Sequence, residues 1–88
     1  MRWQIFFSTR SLKFIEKEEI SNERIINIIR KAINKFDGKD VNVDIKKLKG
    51  KWKNFYRIRM GKIRIIAKFD FEKGVILIDV IDKRDRIY

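Results

Sequence analysis

The sequence contains no cysteine, no histidine and no proline. Without cysteine, neither disulfides nor thiolate zinc sites can stabilise the fold. Without histidine, the chain lacks the commonest transition-metal ligand and the side chain that usually transfers protons near neutral pH. We therefore expect no metal and no cofactor, and any catalysis has to use other groups.

Long apolar runs are absent as well. No stretch approaches the roughly 20 residues that a membrane-spanning helix needs. The apolar residues 3–7 are too few for a signal peptide, and no small-residue cleavage site follows them. A chain of 88 residues has room for one domain, so residues 1–88 are expected to form a single domain. We expect a cytoplasmic protein that does not contact a membrane.

Acidic residues are scarce in one part of the chain. Residues 1–45 carry nine basic and seven acidic side chains, whereas residues 46–88 carry fourteen and five, so most of the net charge of +11 belongs to the second half. From Lys46 to Lys68 there are ten basic side chains and no acidic one. This concentration of positive charge favours binding to a polyanion, with a merely solvated basic surface as the alternative.

The N-terminal half is typical of one strand followed by two helices. Alternating apolar residues predict a strand over Arg2–Phe7. Ser8 or Thr9 begins the first helix and Ser21 the second, which ends before Gly38. The apolar positions of the two helices, which we expect to form the core, are Leu12, Ile15, Ile20, Ile25, Ile28, Ile29, Ala32, Ile33 and Phe36.

The C-terminal half is typical of three strands, predicted over Trp52–Met60, Ile63–Phe71 and Val75–Ile81. Gly61 and Lys62 between the first two form the kind of two-residue turn that favours glycine first. The predicted order is β-α-α-β-β-β. It indicates an α+β fold in which two helices pack on one face of a small, curved, mostly antiparallel sheet. The other face is left to solvent or to a partner.

The predicted hairpin carries cations on the face away from the helices. With the turn at Gly61, Arg59 lies directly opposite Arg64, which is a repulsive pair unless an anion offsets the repulsion. Guanidinium groups bind phosphate well, because each can donate two parallel hydrogen bonds. Outward-splayed, solvated arginines are the alternative. The side chains predicted for this face are Arg57, Arg59, Arg64 and Lys68, interrupted by Ile66.

The last residues add further positive charge. Lys83, Arg84 and Arg86 follow the third predicted strand, and Tyr88 is the last residue. A tyrosine beside a cationic surface is suited to stacking on a nucleobase, although it is also typical of a docked or frayed end.

A set of residues in the second half forms the pattern of a known superfamily: Leu48, Gly50, Tyr56, Arg57, Ile58, Arg59, Gly61, Arg64 and Tyr88. In this pattern, in its length and in the order of its predicted elements, the sequence resembles the RelE/ParE superfamily of bacterial and archaeal toxins. These toxins are encoded beside an antitoxin. The resemblance covers essentially the whole chain, but the first half contributes only pattern.

The resemblance to the RelE branch implies an endoribonuclease that cleaves mRNA on the ribosome without a metal. In this chemistry the 2′-hydroxyl of the RNA attacks the adjacent phosphate. The resemblance also implies an acidic, RelB-like antitoxin as a partner. It assigns catalytic roles to Arg57, Arg59, Arg64, Arg84 and Tyr88. The residues that it implies to bind nucleic acid, including ribosomal RNA, are Lys46, Lys47, Lys49, Lys51, Lys53, Lys62, Lys83 and Arg86.

The sequence departs from active RelE members at the expected base. Those members carry lysines where this chain has Arg57 and Arg59, and arginine, with a pKa above about 12, rarely gives up its proton. Lys83, where some relatives have histidine, is a candidate proton acceptor. Two other functions stay open: a ParE-like inhibitor of DNA gyrase, and a nucleic-acid-binding relative that does not cleave.

Overall fold

The computed structural model describes residues 2–83. In chain order these form β1 (Gln4–Phe7), α1 (Thr9–Glu18), α2 (Asn22–Phe36), β2 (Asp44–Lys47), a short 3-10 helix (Gly50–Trp52), β3 (Phe55–Met60), β4 (Ile63–Asp70) and β5 (Val75–Lys83). The strands form one sheet in the order β1-β5-β4-β3-β2, with β1 parallel to β5 and the other pairs antiparallel. The predicted α+β fold is confirmed, and β2 is an additional strand that the sequence did not predict.

Both helices begin where the sequence predicts. The Ser8 Oγ and the Ser21 Oγ each accept a hydrogen bond, at 3.1 Å, from the backbone N–H three residues later. Each serine thus satisfies a donor that the first helical turn leaves without a partner. Beyond the end of α2, Gly38 has a φ of 88°, a left-handed conformation that glycine adopts without steric cost. Neither helix is long and apolar enough to cross a membrane.

The core lies between the helices and one face of the sheet, which we call the inner face. Leu12 and Phe36 were wrongly predicted to belong to it, since these residues are 47% and 36% exposed. Ser11 is buried instead, and its hydroxyl donates to the Ser8 carbonyl at 2.9 Å. The buried apolar side chains are Ile15, Ile25, Ile28, Ile29, Ala32, Val43, Ile58, Ile63, Ile65, Ala67, Phe69, Ile76, Ile78 and Ile81.

The pairing of β4 with β5 contains one extra residue. Ile66 pairs with Val80 and the next residue, Ala67, pairs with Ile78, so Asp79 has no partner on β4. A bulge of this kind shifts the inward–outward alternation of the strand by one residue.

The bulge decides which side chains of β5 reach the face opposite the helices, which we call the outer face. Beyond it, Ile81 joins the core and Asp82 is directed to the outer face. Two side chains from the start of α1 contact the bulged residue: the Ser8 Oγ donates to the Asp79 carbonyl at 2.6 Å, and the Arg10 Nη2 lies 3.1 Å from the Asp79 Oδ2.

Candidate nucleic-acid interface

The outer face carries the arginines that the sequence predicts for it. Gly61, with a φ of 60°, and Lys62 form the turn between β3 and β4, so Arg59 pairs directly with Arg64. Arg57 lies on the same face, two residues before Arg59. We call Arg57, Arg59 and Arg64 the arginine cluster.

Two aspartates lie beside the arginine cluster, one on each side. Asp44 on β2 is paired with Arg59, and its Oδ2 accepts from the Arg59 Nε at 3.0 Å and the Nη2 at 2.8 Å. Asp82 on β5 accepts from the Arg64 Nε at 2.9 Å and the Nη2 at 2.7 Å. The four residues form an acid–arginine–arginine–acid row across β2, β3, β4 and β5, so two carboxylates of the fold itself lie beside the repulsive pair that the sequence predicts.

These ion pairs are open to solvent. The side chain of Asp44 is 51% exposed and that of Asp82 is 39% exposed. The hydrogen bonds from Arg59, together with the charges of Arg59 and Arg57, hold the pKa of Asp44 below its usual value. Exposed ion pairs contribute little to stability, so a phosphate can compete with either carboxylate. Among residues 2–83, no three acidic side chains are grouped so that they could hold a metal ion.

Arg57 is the least engaged member of the cluster. Its Nη2 lies 3.5 Å from the Asp44 Oδ2, which is at the limit of a hydrogen bond. Its Nε is buried and has no hydrogen-bond partner within residues 2–83. The residues paired with Arg57 on the two neighbouring strands are Lys46 and Ile66. Arg57 therefore donates fewer hydrogen bonds within the fold than Arg59 does.

A second cationic region, which we call the lysine loop, comprises residues 46–53 at the β2 edge of the sheet. Lys46 pairs with Arg57 and shares the outer face, whereas Lys47 pairs with Tyr56 and is directed to the inner side. No carboxylate of residues 2–83 forms an ion pair with the lysines of this loop. An open pocket of about 350 Å³ lies along the loop, and its lining residues are Lys47, Leu48, Lys49, Gly50 and Lys53.

Two further lysines were predicted to bind nucleic acid, and the structure separates them. Lys62 lies in the turn next to Arg59 and Arg64. Lys83 pairs with the buried Ile63, which places it on the inner side, and its Nζ lies 4.0 Å from the Glu18 Oε1 on α1. Lys83 therefore does not face the arginine cluster, and its geometry gives no support to a role as the base.

The remaining predicted site residues are Arg84, Arg86 and Tyr88. They lie outside the described residues 2–83.

Asp44 and Asp82 are the site residues that sequence reasoning missed. The sequence did contain a weak signal for Asp44. Asp44 and Lys46 are polar residues on each side of the half-buried Ile45, which is the alternation of a short strand. Asp82 had no comparable local signal. Simple alternation from Ile78 places it on the inner face, and the bulge moves it to the outer one.

Neither a scan of protein-family models nor a search of curated proteins gives a match to this chain. Solved structures do match its fold. The RelBE2 toxin–antitoxin complex from Mycobacterium tuberculosis matches with a TM-score of 0.63 and 18% identity, over 96% of this chain and 100% of that one. The YoeB–YefM complex from Staphylococcus aureus matches with a TM-score of 0.59 and 18% identity over the full length of both chains.

An archaeal complex is more similar in sequence. The RelB–RelE antitoxin–toxin complex from Methanococcus jannaschii matches with a TM-score of 0.58 and 26% identity, over 90% of this chain and 89% of that one. The shared element order, the near-complete coverage and this level of identity agree with the motif in residues 48–64. The chain therefore has the fold of the RelE-like toxins in these complexes.

Proposed function

We propose that this protein is the toxin of a type II toxin–antitoxin pair and that it cleaves mRNA on the ribosome. The observation that carries the proposal is the arginine cluster on the open face of a RelE fold, where Arg59 and Arg64 are directly paired. The repulsion between these like charges is offset in the fold by Asp44 and Asp82. The positions are better suited to a phosphate ligand than to a passive surface, because the two flanking aspartates hold the guanidinium groups in place.

The proposed reaction is an internal transesterification of RNA. The 2′-oxygen loses its proton and forms a bond to the adjacent phosphorus, the bond from phosphorus to the 5′-oxygen breaks, and the departing 5′-oxygen takes up a proton from water to become a hydroxyl. Negative charge develops on the equatorial phosphate oxygens and on the departing oxygen. Cationic donors fixed before the reaction stabilise that charge most effectively. We assign this role to Arg57, Arg59 and Arg64.

The arginine cluster does not supply the base. Arginine stays protonated at any physiological pH, and Lys83 is directed away from the outer face. Water or another lysine therefore accepts the proton of the 2′-hydroxyl. The described residues catalyse the reaction by stabilising the charge that develops.

We also propose an acidic antitoxin as the partner. The structural neighbours from three organisms are toxin–antitoxin complexes, and a protein with a net charge of +11 suits an acidic chain. Electrostatic attraction of this kind mainly accelerates association.

The test uses a cell-free translation reaction that contains ribosomes and a reporter mRNA, with cuts mapped by primer extension. The wild-type protein should cut translated mRNA, and the product of the neighbouring gene should abolish the cuts. Arg64→Ala should reduce the cleavage rate on the order of 100-fold, because it removes one donor to the developing charge. Arg64→Lys, which keeps the charge, should retain part of the activity.

Arg10→Ala is the matched control. Arg10, like Arg64, is an arginine ion-paired with an aspartate of β5, but it lies on α1 and outside the arginine cluster. The Arg10→Ala variant should cleave the mRNA at the wild-type rate. Intact mRNA together with gyrase-dependent DNA breaks would instead assign the protein to the ParE branch. If both the mRNA and the DNA stay intact, the protein is a nucleic-acid-binding relative that does not cleave.

A further inference from the structure

Trp52 is an exposed aromatic side chain inside the lysine loop. It ends the short 3-10 helix, and 37% of its surface is exposed. Its ring meets the ring of Phe55 edge-on, with centroids 5.2 Å apart and planes at 90°. Trp52 therefore packs against one neighbouring ring while much of its own surface stays open. The indole of Trp52 is not part of the hydrophobic core, which lies on the inner face of the sheet.

The backbone holds the segment around Trp52 in a defined shape. The Leu48 N–H donates to the Phe55 carbonyl at 3.0 Å, which closes the loop onto β3. The Phe69 N–H donates to the Asn54 carbonyl at 3.1 Å and ties the end of the loop to β4. Gly50 and Asn54 have φ values of 71° and 70°, the left-handed turns on each side of Trp52. A ring presented by such a loop loses little conformational entropy when a ligand binds.

Lysines flank Trp52 along the chain, and one lysine lies close to the ring of Phe55. Lys49, Lys51 and Lys53 alternate with Gly50 and Trp52 in the sequence and have no ion-pair partner among residues 2–83. On the other side, the Lys68 Nζ lies 6.0 Å from the centroid of the Phe55 ring. The 350 Å³ pocket begins beside the loop lysines.

We propose that Trp52 is a stacking platform for an unpaired RNA base, in a subsite of the lysine loop that is separate from the arginine cluster. Aromatic side chains among lysines are the arrangement by which proteins bind single-stranded nucleic acid without sequence preference. The lysines contact the phosphates on each side of the stacked base. The inference rests on the proposed function only in taking RNA as the ligand, since stacking requires neither the ribosome nor cleavage.

The first experiment uses tryptophan fluorescence. The chain has two tryptophans, so Trp3→Phe leaves Trp52 as the only one. The replacement is mild, because Trp3 contacts Phe69 and Phe71 edge-on and phenylalanine keeps an aromatic ring there. The probes are a single-stranded RNA of about 12 nucleotides and an inorganic polyphosphate of similar charge. RNA should quench the fluorescence of Trp52, whereas polyphosphate should bind without comparable quenching.

The second experiment measures the dissociation constant of the same RNA for variants of the full chain. Trp52→Ala should weaken binding about 10-fold, and Trp52→Phe, which keeps an aromatic face, should restore most of it. Leu12→Ala is the matched control, because Leu12 is an exposed apolar residue on α1. It should leave the dissociation constant unchanged. The Trp52→Phe variant keeps the test valid if Trp52→Ala does not fold.

Three results would overturn the proposal. RNA that binds without quenching Trp52 excludes stacking. Equal quenching by RNA and polyphosphate shows that the indole senses only charge. A Trp52→Ala variant that binds RNA normally but loses the antitoxin assigns the surface to the protein partner. If the wild-type protein does not cleave mRNA but RNA still quenches the fluorescence of Trp52, the proposed function is contradicted and the proposed stacking subsite is still supported.

Discussion

The two cationic regions of this protein differ in what their charges face. In the arginine cluster, Arg59 and Arg64 each donate two hydrogen bonds to an aspartate on a neighbouring strand. In the lysine loop, five lysines within eight residues form no ion pair with any carboxylate of residues 2–83. Within residues 2–83, only the arginine cluster has carboxylate partners.

This difference indicates a division of labour for an anionic ligand. An arginine held by a carboxylate on a strand has a fixed orientation, so it can position a phosphate accurately, but the carboxylate competes for its donors. A lysine without a partner offers its full charge and breaks no ion pair when a phosphate arrives. We therefore expect the lysine loop to supply most of the binding affinity and its salt dependence. We expect the arginine cluster to position the bound phosphate accurately.

The largest expected effect comes from the lysine loop. Replacing Lys49, Lys51 and Lys53 by glutamine should weaken the binding of single-stranded RNA on the order of 100-fold at low salt. Each lost phosphate contact also lowers the dependence of log K on log salt by about 0.7, so the slope should fall by about 2. Filter binding or fluorescence anisotropy over a salt series measures both quantities.

The control for that triple variant has the same change in net charge at another place. Lys13, Lys17 and Lys31 lie on the two helices, which pack on the inner face of the sheet. Their replacement by glutamine should change the slope by much less than 1. If both triple variants lose the same affinity, the net charge of the protein alone attracts RNA, and the distinction between the two regions fails.

A smaller effect of opposite sign is expected at the arginine cluster. Asp44→Asn removes the carboxylate shared by Arg59 and Arg57 and keeps the shape of the side chain. It should tighten RNA binding about 3-fold, because the phosphate no longer competes with an internal anion. Competition gel shifts against the wild type provide the measurement.

Asp79→Asn is the matched control for Asp44→Asn. Asp79 is ion-paired with Arg10, outside the arginine cluster, so this variant removes the same charge without releasing Arg57 or Arg59. A gain that is equal in both variants would reflect net charge only. A loss in Asp44→Asn would show that the aspartate orients the arginines rather than competing for them.

The sequence predicted the arginine cluster because the information for it is local. Alternation over residues 54–69 and the Gly61 turn fix which side chains share a face, and the pairing of Arg59 with Arg64 follows from them. The N-cap residues Ser8 and Ser21 are also marked by their immediate sequence neighbours, so both helices begin where predicted.

The aspartates were not predictable in this way, because their positions depend on contacts between distant segments. Asp44 reaches Arg59 only when a four-residue edge strand pairs with β3. Asp82 reaches Arg64 only because a bulge at Asp79, contacted by Ser8 and Arg10, reverses the alternation of β5. A charge count along the chain found no acid from Lys46 to Lys68, yet one acid before that segment and one after it flank the arginines.

The smallest expected effect is the pH dependence of the ion pair at Asp44. Its pKa in the folded protein is below the usual 3.8, chiefly because Arg59 donates hydrogen bonds to the ionised form. A carboxyl whose pKa is lowered by folding stabilises the fold above its unfolded-state pKa, and that stabilisation is lost as the pH falls through the folded-state pKa. The unfolding midpoint of the wild type should therefore exceed that of Asp44→Asn slightly at neutral pH, and the difference should disappear as the pH falls through the lowered folded-state pKa of Asp44. Thermal unfolding followed by circular dichroism measures it. A difference that persists unchanged at the lowest pH would show that Asp44 stabilises the fold by something other than its charge, and the contrast between paired and unpaired cations would then lose its electrostatic basis.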